Sequence, residues 1–359
     1  MSDGGEPRLS VVVVTHDSRD AVRHCLPALV DQLADGDELV VVDNASSDAT
    51  IAAVRDAAPA ARVLEQDDNL GFAAGANAGA AAATGELLLF LNPDAEPAPG
   101  FVEAIRRPAR EPRWTAWMGL VTMDGGRLVN TSGGVIHFTG IAWSGAAGSP
   151  VAWAPTAPSE VPFLSGSCLA IPRETWERLG GFASSFFMYC EDVDLSLRLR
   201  LAGGRLGVEP DARVDHGYDF SKGPAKWRRL EANRWATLIR TYPGPLLAAV
   251  GPALLATELA LLAIATAGGW LRPKLWATRD TVAALPRLLR ERAAIQSARS
   301  VSPSELARWL TADLDSVYLG RAGTLAPLRW ALRTYWGVVR RALGAPAPTP
   351  RARPPRAGG

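Results

Sequence analysis

In the first hundred residues, short unbroken apolar runs alternate with longer stretches of helical spacing. The run LSVVVVTH (Leu9–His16) is continuous and β-branched, the mark of a strand covered on both faces. A helical stretch from Asp20 to about Leu33 follows, and then a second buried strand, DELVVVDN (Asp37–Asn44). The segment SSDATIAAVRDAA predicts a helix that starts on a serine cap and is stopped by Pro59. A short third strand at Arg62–Glu65 leads into DDNLGFAAGANAGAAAATG, whose Ala-rich part predicts a helix running to Thr84-Gly85. The fourth strand is Glu86–Leu91. A βαβαβαβ series predicts an α/β fold, with a largely parallel sheet and helices on both faces.

After residue 100 the pattern loosens. Residues 101–165 mix Trp, Gly and β-type residues with Pro and sustain no period, which predicts short strands and loops. GSCLAIPRETWERLGGF reads as a strand and a helix closed by Gly180-Gly181. CEDVDLSLRLRLAGG reads as a helix whose acidic first turn suits the helix dipole. Beyond Tyr242-Pro243, the 26 residues Leu246–Leu271 hold one ionisable side chain, Glu258, and Arg-rich amphipathic stretches follow. The tail GAPAPTPRARPPRAGG has a composition that predicts disorder. Three parts are therefore expected: the α/β part at 1–242, a helical region at 243–344, and the tail at 345–359.

Each of the four strands runs into polar residues at its carboxyl end. These are Thr15-His16-Asp17, Asp43-Asn44, Asn69-Leu70-Gly71 a little beyond the third strand, and Asn92-Pro93-Asp94. Pro93 cannot donate to a sheet ladder, so the fourth strand must stop there. One such turn is ordinary, since Asn, Pro and Asp are all turn residues. Four in series predict a site along the edge where open α/β sheets bind ligands.

Charge adds a second division. The net charge of +1 conceals a net of −10 over residues 1–239 and +11 over residues 240–359. The acidic part suits metal and hydroxyl chemistry, and the basic part suits an anionic surface such as lipid headgroups. No nucleic acid is expected, because no helix-turn-helix, zinc or RNA-binding signature accompanies the basic charge. Cys25, Cys168 and Cys190 are odd in number and have no CxxC spacing. That argues against a disulfide framework or a structural zinc and suits a reducing cytosol. The start MSDGGEPRLS has neither a basic nor an apolar leader segment, so no signal peptide is expected.

Seven motifs, in order, carry a family resemblance: SVVVVTHDS, VVDNASSDAT, NLGFAAGANAG, FLNPDAEP, FLSGSCLAIPRETWERLGGF, FFMYCEDVDLSLRLRLAGG and VDHGYDFSK. Spread over roughly residues 8 to 240, they resemble the family 2 glycosyltransferases, inverting enzymes with the Rossmann-like GT-A fold. Within that family the sequence is similar to the rhamnosyltransferase group that builds bacterial surface polysaccharides. The resemblance implies transfer of a hexose from a nucleotide-diphosphate sugar. It also implies Mg²⁺ or Mn²⁺ at a DxD-type turn to neutralise the diphosphate leaving group. Here that turn is Asn92-Pro93-Asp94, with Asn in place of the first acid. Asp94 is thus implied as the main metal carboxylate, and Asn92 as a contact to the ribose or to a metal-bound water. His216, in VDHGYDF, matches a further metal or diphosphate contact, although a lone histidine is otherwise a satisfied core residue.

By the same resemblance Asp43 accepts the pyrimidine ring N–H, and Thr15 and Asp17 belong to the same nucleotide site. Asn69 and Gly71 match the loop over the nucleotide, with Asn77 supporting it from the helix; the small residues from Gly71 to Gly79 equally suit close helix–sheet packing. Gly166 and Ser167 match a segment that contacts the donor sugar or the acceptor. Asp192 of EDVD is the implied general base for the acceptor hydroxyl, and a helix start helps to keep it ionised. Glu191 is implied to orient the acceptor or Asp192, and Asp194 is expected to pair with Arg198 one turn along.

The implied donor is a pyrimidine nucleotide sugar, dTDP-rhamnose first and a UDP-sugar such as UDP-galactofuranose second. The implied acceptor is a glycan or a polyprenyl-diphosphate-linked glycan. Residues 246–271 are long enough to cross a bilayer, which takes about 20 apolar residues. Gly251-Pro252 and Glu258 interrupt them, however, and arginines crowd the flanks. A membrane-associating helical module, interfacial or re-entrant, is expected on anionic lipid at the cytoplasmic face of the cell membrane; the alternative is a soluble helical subdomain. A nucleotidyltransferase would need a Gly-rich, basic phosphate loop after the first strand, which THDSRDAV lacks. An inactive glycan- or membrane-binding scaffold would show a degraded base or metal turn, and both are intact.

Overall fold

The computed structural model describes residues 6–111, 113–217, 223, 225–316 and 325–344. The tail expected to be disordered, 345–359, and the end of the VDHGYDFSK motif, 218–222, lie outside the described residues.

The apolar runs form β1 (Leu9–Thr15), β2 (Glu38–Asn44), β3 (Arg62–Gln66) and β4 (Leu87–Leu91), joined by α1 (Arg19–Val30), α2 (Thr50–Ala57) and α3 (Gly71–Ala82). All four strands are parallel, in the order β3-β2-β1-β4. Every residue of β1 and β4 is buried, which is why these strands read as unbroken apolar runs. The chain steps outward from β1 to β3 and then crosses back to β4. Right-handed crossovers therefore put α1 and α2 on one face and α3 on the other. A Cβ on Gly79 would meet Val12 Cγ1 at 2.4 Å, so the Gly/Ala stripe of α3 is what lets that helix lie directly on the sheet.

Two expectations need correction. α2 has no serine cap: Ser46 and Ser47 turn to Asp43 and Asp17, and Asp48 accepts the Thr50 N–H at 2.9 Å instead. The segment after residue 100 is also more regular than its pattern. β5 (Ala95–Pro97) leads into a helix, α4 (Phe101–Arg110), and then into the long buried strand β6 (Ala116–Met123). Pro108 in the last turn of α4 and the arginines around it mask the helical period. Arg106 faces the core because it pairs with Asp37 at 2.5 Å.

Beyond β6 come β7 (Leu128–Thr131), β8 (Gly134–His137), β9 (Ala142–Ser144) and β10 (Ser159–Glu160). β11 (Cys168–Pro172) is inserted antiparallel between β4 and β6, followed by α5 (Arg173–Leu179), which ends on the left-handed Gly180. Then come α6 (Glu191–Leu201) and β12 (Leu206–His216), the latter parallel to β6. The sheet runs β10-β12-β6-β11-β4-β1-β2-β3, with β5 and β7 added at the side. The carboxyl ends of β1, β2, β4 and β12 thus share one edge.

After α7 (Ala225–Thr241), the helical region comprises α8 (Gly244–Ala267), α9 (Leu271–Ser297), α10 (Pro303–Ala307), β13 (Leu310–Thr311) and α11 (Ala326–Ala342). β13 pairs with β8, tying the C-terminal chain to the earlier part. A second core joins Leu197 and Leu201 of α6 to Leu238 and Tyr242, and to Leu246, Val250, Leu306 and Trp336 beyond them. On α8, Leu246, Val250 and Leu254 point into this core, while Leu255, Leu259 and Ile264 are exposed. Glu258 is drawn inward to Arg234, to Trp235 Nε1 at 3.1 Å and to Lys274 Nζ at 2.7 Å.

Candidate active site

Register brings the first polar pair together. Thr15 lies opposite Asp43 across β1 and β2, and its hydroxyl donates to Asp43 Oδ1 at 2.7 Å. Ser46 closes the same carboxylate, its hydroxyl at 2.6 Å from Oδ1 and its N–H at 2.9 Å from Oδ2. Thr15 and Asp43 are both buried, so a lone pair left on Asp43 faces a partner in a dry setting. Asp17 has φ 48° and accepts the Ser47 N–H at 2.7 Å. That bond leads the causes that hold its carboxyl below the ordinary range.

The third turn is tied to this pair by a residue that the motifs did not single out. Asn44 Nδ2 donates to the Gly71 carbonyl at 3.1 Å, and the Gly71 N–H donates to Asn69 Oδ1 at 2.9 Å. Gly71 has φ 80°, and a Cβ there would lie 2.5 Å from the Phe187 ring, so only glycine fits. Asn77 is turned elsewhere. Six residues further along α3, about 9 Å down its axis, it donates to the Phe182 carbonyl at 2.8 Å and accepts the Phe182 N–H at 2.9 Å. Its amide is fully used in holding α3 to the segment after α5.

β4 and β12 deliver the next group. His216 Nε2 is 3.1 Å from Asp94 Oδ1 and 3.4 Å from Asn92 Nδ2. The imidazole is buried and Asp94 is exposed. A carboxylate oxygen suits Mg²⁺ or Mn²⁺ and an imidazole nitrogen suits a transition ion, so the pair fits a divalent cation such as Mn²⁺. Among the described residues no third His, Cys, Asp or Glu joins them, which leaves room for phosphate oxygens.

A short path leads from this pair to the acidic helix start. The Asn92 N–H donates to the Ser167 carbonyl at 3.0 Å, and next to Ser167 the Gly166 N–H donates to Asp192 Oδ2, also at 3.0 Å. The Val193 N–H donates to Asp192 Oδ1 at 2.7 Å. Burial pushes the Asp192 carboxyl up, and these N–H bonds oppose the shift without cancelling it. The helix start therefore does less to keep Asp192 ionised than the sequence suggested. Glu191 is buried, one of its carboxylate oxygens has no hydrogen-bond partner, and burial drives its carboxyl far above the ordinary range. Burial thus raises both adjacent carboxyls, and the neighbouring Asp192 charge adds to the rise at Glu191. Asp194 pairs with Arg198 at 2.8 Å as expected, and also with Arg240 of α7 at 2.6 Å.

The assembled edge carries the buried Thr15–Asp43 pair, the Asp94–His216 pair and the half-buried Asp192 carboxylate. Residues 10–133 match the family described as glycosyl transferase family 2, and residues 98–285, more than half of the chain, match glycosyl transferase family group 2. The chain is similar to the N-acetylglucosaminyl-diphospho-decaprenol L-rhamnosyltransferase of Mycobacterium tuberculosis, 28% identical over 310 residues, which covers 78% of this chain and 92% of the relative. Among solved structures, that of Staphylococcus aureus TarS residues 1–349 with UDP-GlcNAc has a TM-score of 0.53 at 17% identity, covering 94% of this chain and 90% of TarS. The mannosyltransferase PcManGT of Pyrobaculum calidifontis, solved with GDP-Man and Mn²⁺, has a TM-score of 0.51 at 24% identity, covering 82% of this chain and 86% of that one. Ordered motifs, the shared edge and both family matches lead to one conclusion: this chain belongs to glycosyl transferase family 2.

Proposed function

We propose that the protein transfers rhamnose, with inversion, from dTDP-rhamnose to a glycan carried on a polyprenyl diphosphate, at the cytoplasmic face of the cell membrane. The observation that carries the reading is the line of contacts from Asp94 and His216, through Asn92 and Ser167, to Gly166 and Asp192. Similarity to a rhamnosyltransferase named for a decaprenol-linked acceptor supports the sugar and the acceptor class.

In this reading Asp43, held open by Thr15 and Ser46, accepts the N–H of the pyrimidine, and Asp17 shapes the loop beside it. Asn69 and Gly71 form the turn over the nucleotide. Asp94 and His216 would hold Mg²⁺ or Mn²⁺, which would supply positive charge to the departing diphosphate. Asn92 sits between that pair and the sugar, and Gly166 and Ser167 line the sugar's side. Asp192 takes the proton of the acceptor hydroxyl as its oxygen bonds to the anomeric carbon, and the carbon–phosphate oxygen bond breaks on the opposite side. A raised carboxyl is the stronger base once ionised, and Glu191 beside it orients the acceptor or Asp192. Residues 1–242 carry this chemistry, and 243–344 bring it to lipid. The exposed Leu255, Leu259 and Ile264 of α8 and Trp276 and Leu289 of α9 suit an interfacial helix layer more than a single span.

The test is a panel of dTDP-rhamnose, UDP-galactofuranose, UDP-GlcNAc and GDP-mannose with the full-length protein, reading release of nucleoside diphosphate. dTDP-rhamnose should be turned over fastest. Asp192→Asn should lose about 10²- to 10⁴-fold in rate while binding dTDP as before. Preference for the purine donor, or wild-type turnover by Asp192→Asn, would refute the reading.

A further inference from the structure

The residues just before Asp192 hold a backbone that side chains resist. Phe187 (φ 61°), Tyr189 (φ 73°) and Cys190 (φ 64°) all lie in the left-handed region, and none of them is glycine. The Met188 N–H donates to the Phe186 carbonyl at 2.7 Å, so Phe186–Met188 is the rare γ-turn of positive φ. Such a backbone persists only where its surroundings fix it.

One side chain supplies most of that fixing. Asn233, buried in the middle of α7, has its Nδ2 2.9 Å from the Phe186 carbonyl, 3.0 Å from that of Met188 and 2.7 Å from that of Tyr189. Three converging carbonyls require a donor, which fixes the amide with its nitrogen inward. The remaining carbonyl of the run, Phe187, accepts the Ala73 N–H of α3 at 3.0 Å. The same face of α7 adds Arg229 over the Phe187 ring, 3.6 Å from its centre, and Arg240 on Asp194. Positions 229, 233 and 240 recur at helical spacing, so one stripe of α7 grips the loop before the base and the first turn after it.

We propose that Asn233 is a positioning residue for transfer, acting only through Asp192 by fixing the loop that delivers it. It touches neither donor nor acceptor, and the proposal rests on the reading of Asp192 as the base. Without the carboxamide, the three carbonyls lose their shared donor and the loop relaxes toward ordinary φ values, carrying Asp192 off the acceptor hydroxyl. A shift of about 1 Å is enough to cost up to roughly 100-fold in rate.

The experiment uses full-length Asn233→Ala and Asn233→Gln, each in the wild-type and the Asp192→Asn backgrounds. Release of dTDP from dTDP-rhamnose, or from whichever donor in the panel is turned over, gives kcat, and calorimetry with dTDP gives Kd. The expected result is a kcat about 10- to 100-fold lower in Asn233→Ala, with the Kd for dTDP unchanged. Partial recovery is expected in Asn233→Gln, which keeps the donors one methylene further out. In the Asp192→Asn background, Asn233→Ala should change kcat less than about twofold, because the group it positions is gone. A kcat near wild type in Asn233→Ala, or an equal loss in both backgrounds, would overturn the proposal. So would failure of both Asn233 variants to fold, which would make the residue purely structural. Wild-type turnover by Asp192→Asn alone would remove the base assignment, and the positioning role with it.

Discussion

Replacing Lys274 by Met tests how the helical region is held to the rest of the molecule. Lys274 is 1% exposed, and its ammonium reaches the carboxylates of Glu231 on α7 and Glu258 on α8. Arg234 contacts the same two carboxylates, so two acids and two bases sum to zero charge in a dry setting. Met retains the apolar stem but leaves one buried negative charge uncompensated. Breaking a buried pair from one side costs about 3 kcal/mol or more, which in a chain of this size lowers Tm by roughly 4 °C. pH supplies a sign. Burial works to raise the Glu231 carboxyl, but Arg234 and Lys274 outweigh it and hold the carboxyl below its ordinary value. Its contribution is therefore present above the unfolded value, near 4.3, and is lost as pH falls through the lower folded value. In Lys274→Met the Glu231 carboxyl loses one of the two cations that hold it low, and a proton there restores neutrality, so the deficit measured at pH 7.5 should shrink toward pH 5. Thermal melts followed by circular dichroism at both pH values read this directly. The double variant Lys274→Met/Glu258→Gln should recover most of the loss at pH 7.5. A single variant melting within about 1 °C of wild type, or a double variant no more stable than the single, would refute the reasoning.

Other outcomes are expected at the site and at the lipid surface. Asp94→Ala should abolish both turnover and the metal-dependent part of donor binding, with EDTA acting likewise on the wild type; equal donor affinity by calorimetry with and without Mn²⁺ would count against the Asp94–His216 pair. Glu191→Gln should raise Tm increasingly as pH climbs above the ordinary glutamate range, because burial raises the Glu191 carboxyl and its ionisation at higher pH destabilises the fold; an unchanged difference from pH 5 to 8.5 would mean that Glu191 is already charged. Full-length protein should sediment with phosphatidylglycerol vesicles and be only partly released by high salt, since salt screens the basic charge but not buried apolar area. Leu255→Asp/Leu259→Asp should lose the salt-resistant fraction, and complete release of the wild type by salt would mean that no helix inserts.

The parts of the site legible in the sequence are those where local chemistry and strand ends coincide. β1, β2 and β4 declare themselves as unbroken apolar runs, and a strand covered on both faces must deliver its polar successors to one edge. Thr15, Asp43, Asn92 and Asp94 therefore stand out as soon as the strands are drawn. α4 did not, because Pro108 and its arginines hide a face that only Asp37 and the core reveal. The hydrogen-bond partner of Asn77 lies 105 residues away, and no local pattern announces it.

Glu258 shows why the helical region was the harder half. In sequence it is a lone interruption in an apolar stretch, compatible with a span, a re-entrant helix or a soluble core helix. Its meaning depends on Arg234, Trp235 and Lys274, which come from the helices before and after α8. Once those partners are in place, one side of α8 is committed to protein along Leu246, Val250, Leu254 and Glu258, and the side bearing Leu255 and Leu259 is left outward. A helix crossing a bilayer alone would have to break this ion cluster and take the Glu258 carboxylate from Arg234 and Lys274, a cost that breaking a buried pair sets at several kcal/mol. Lying along the lipid surface requires neither. The same α7 that anchors Glu258 through Arg234 also holds the loop before Asp192 through Asn233, one residue earlier. The outward apolar face of α8 and the acidic start of α6 are therefore braced by adjacent side chains of a single helix.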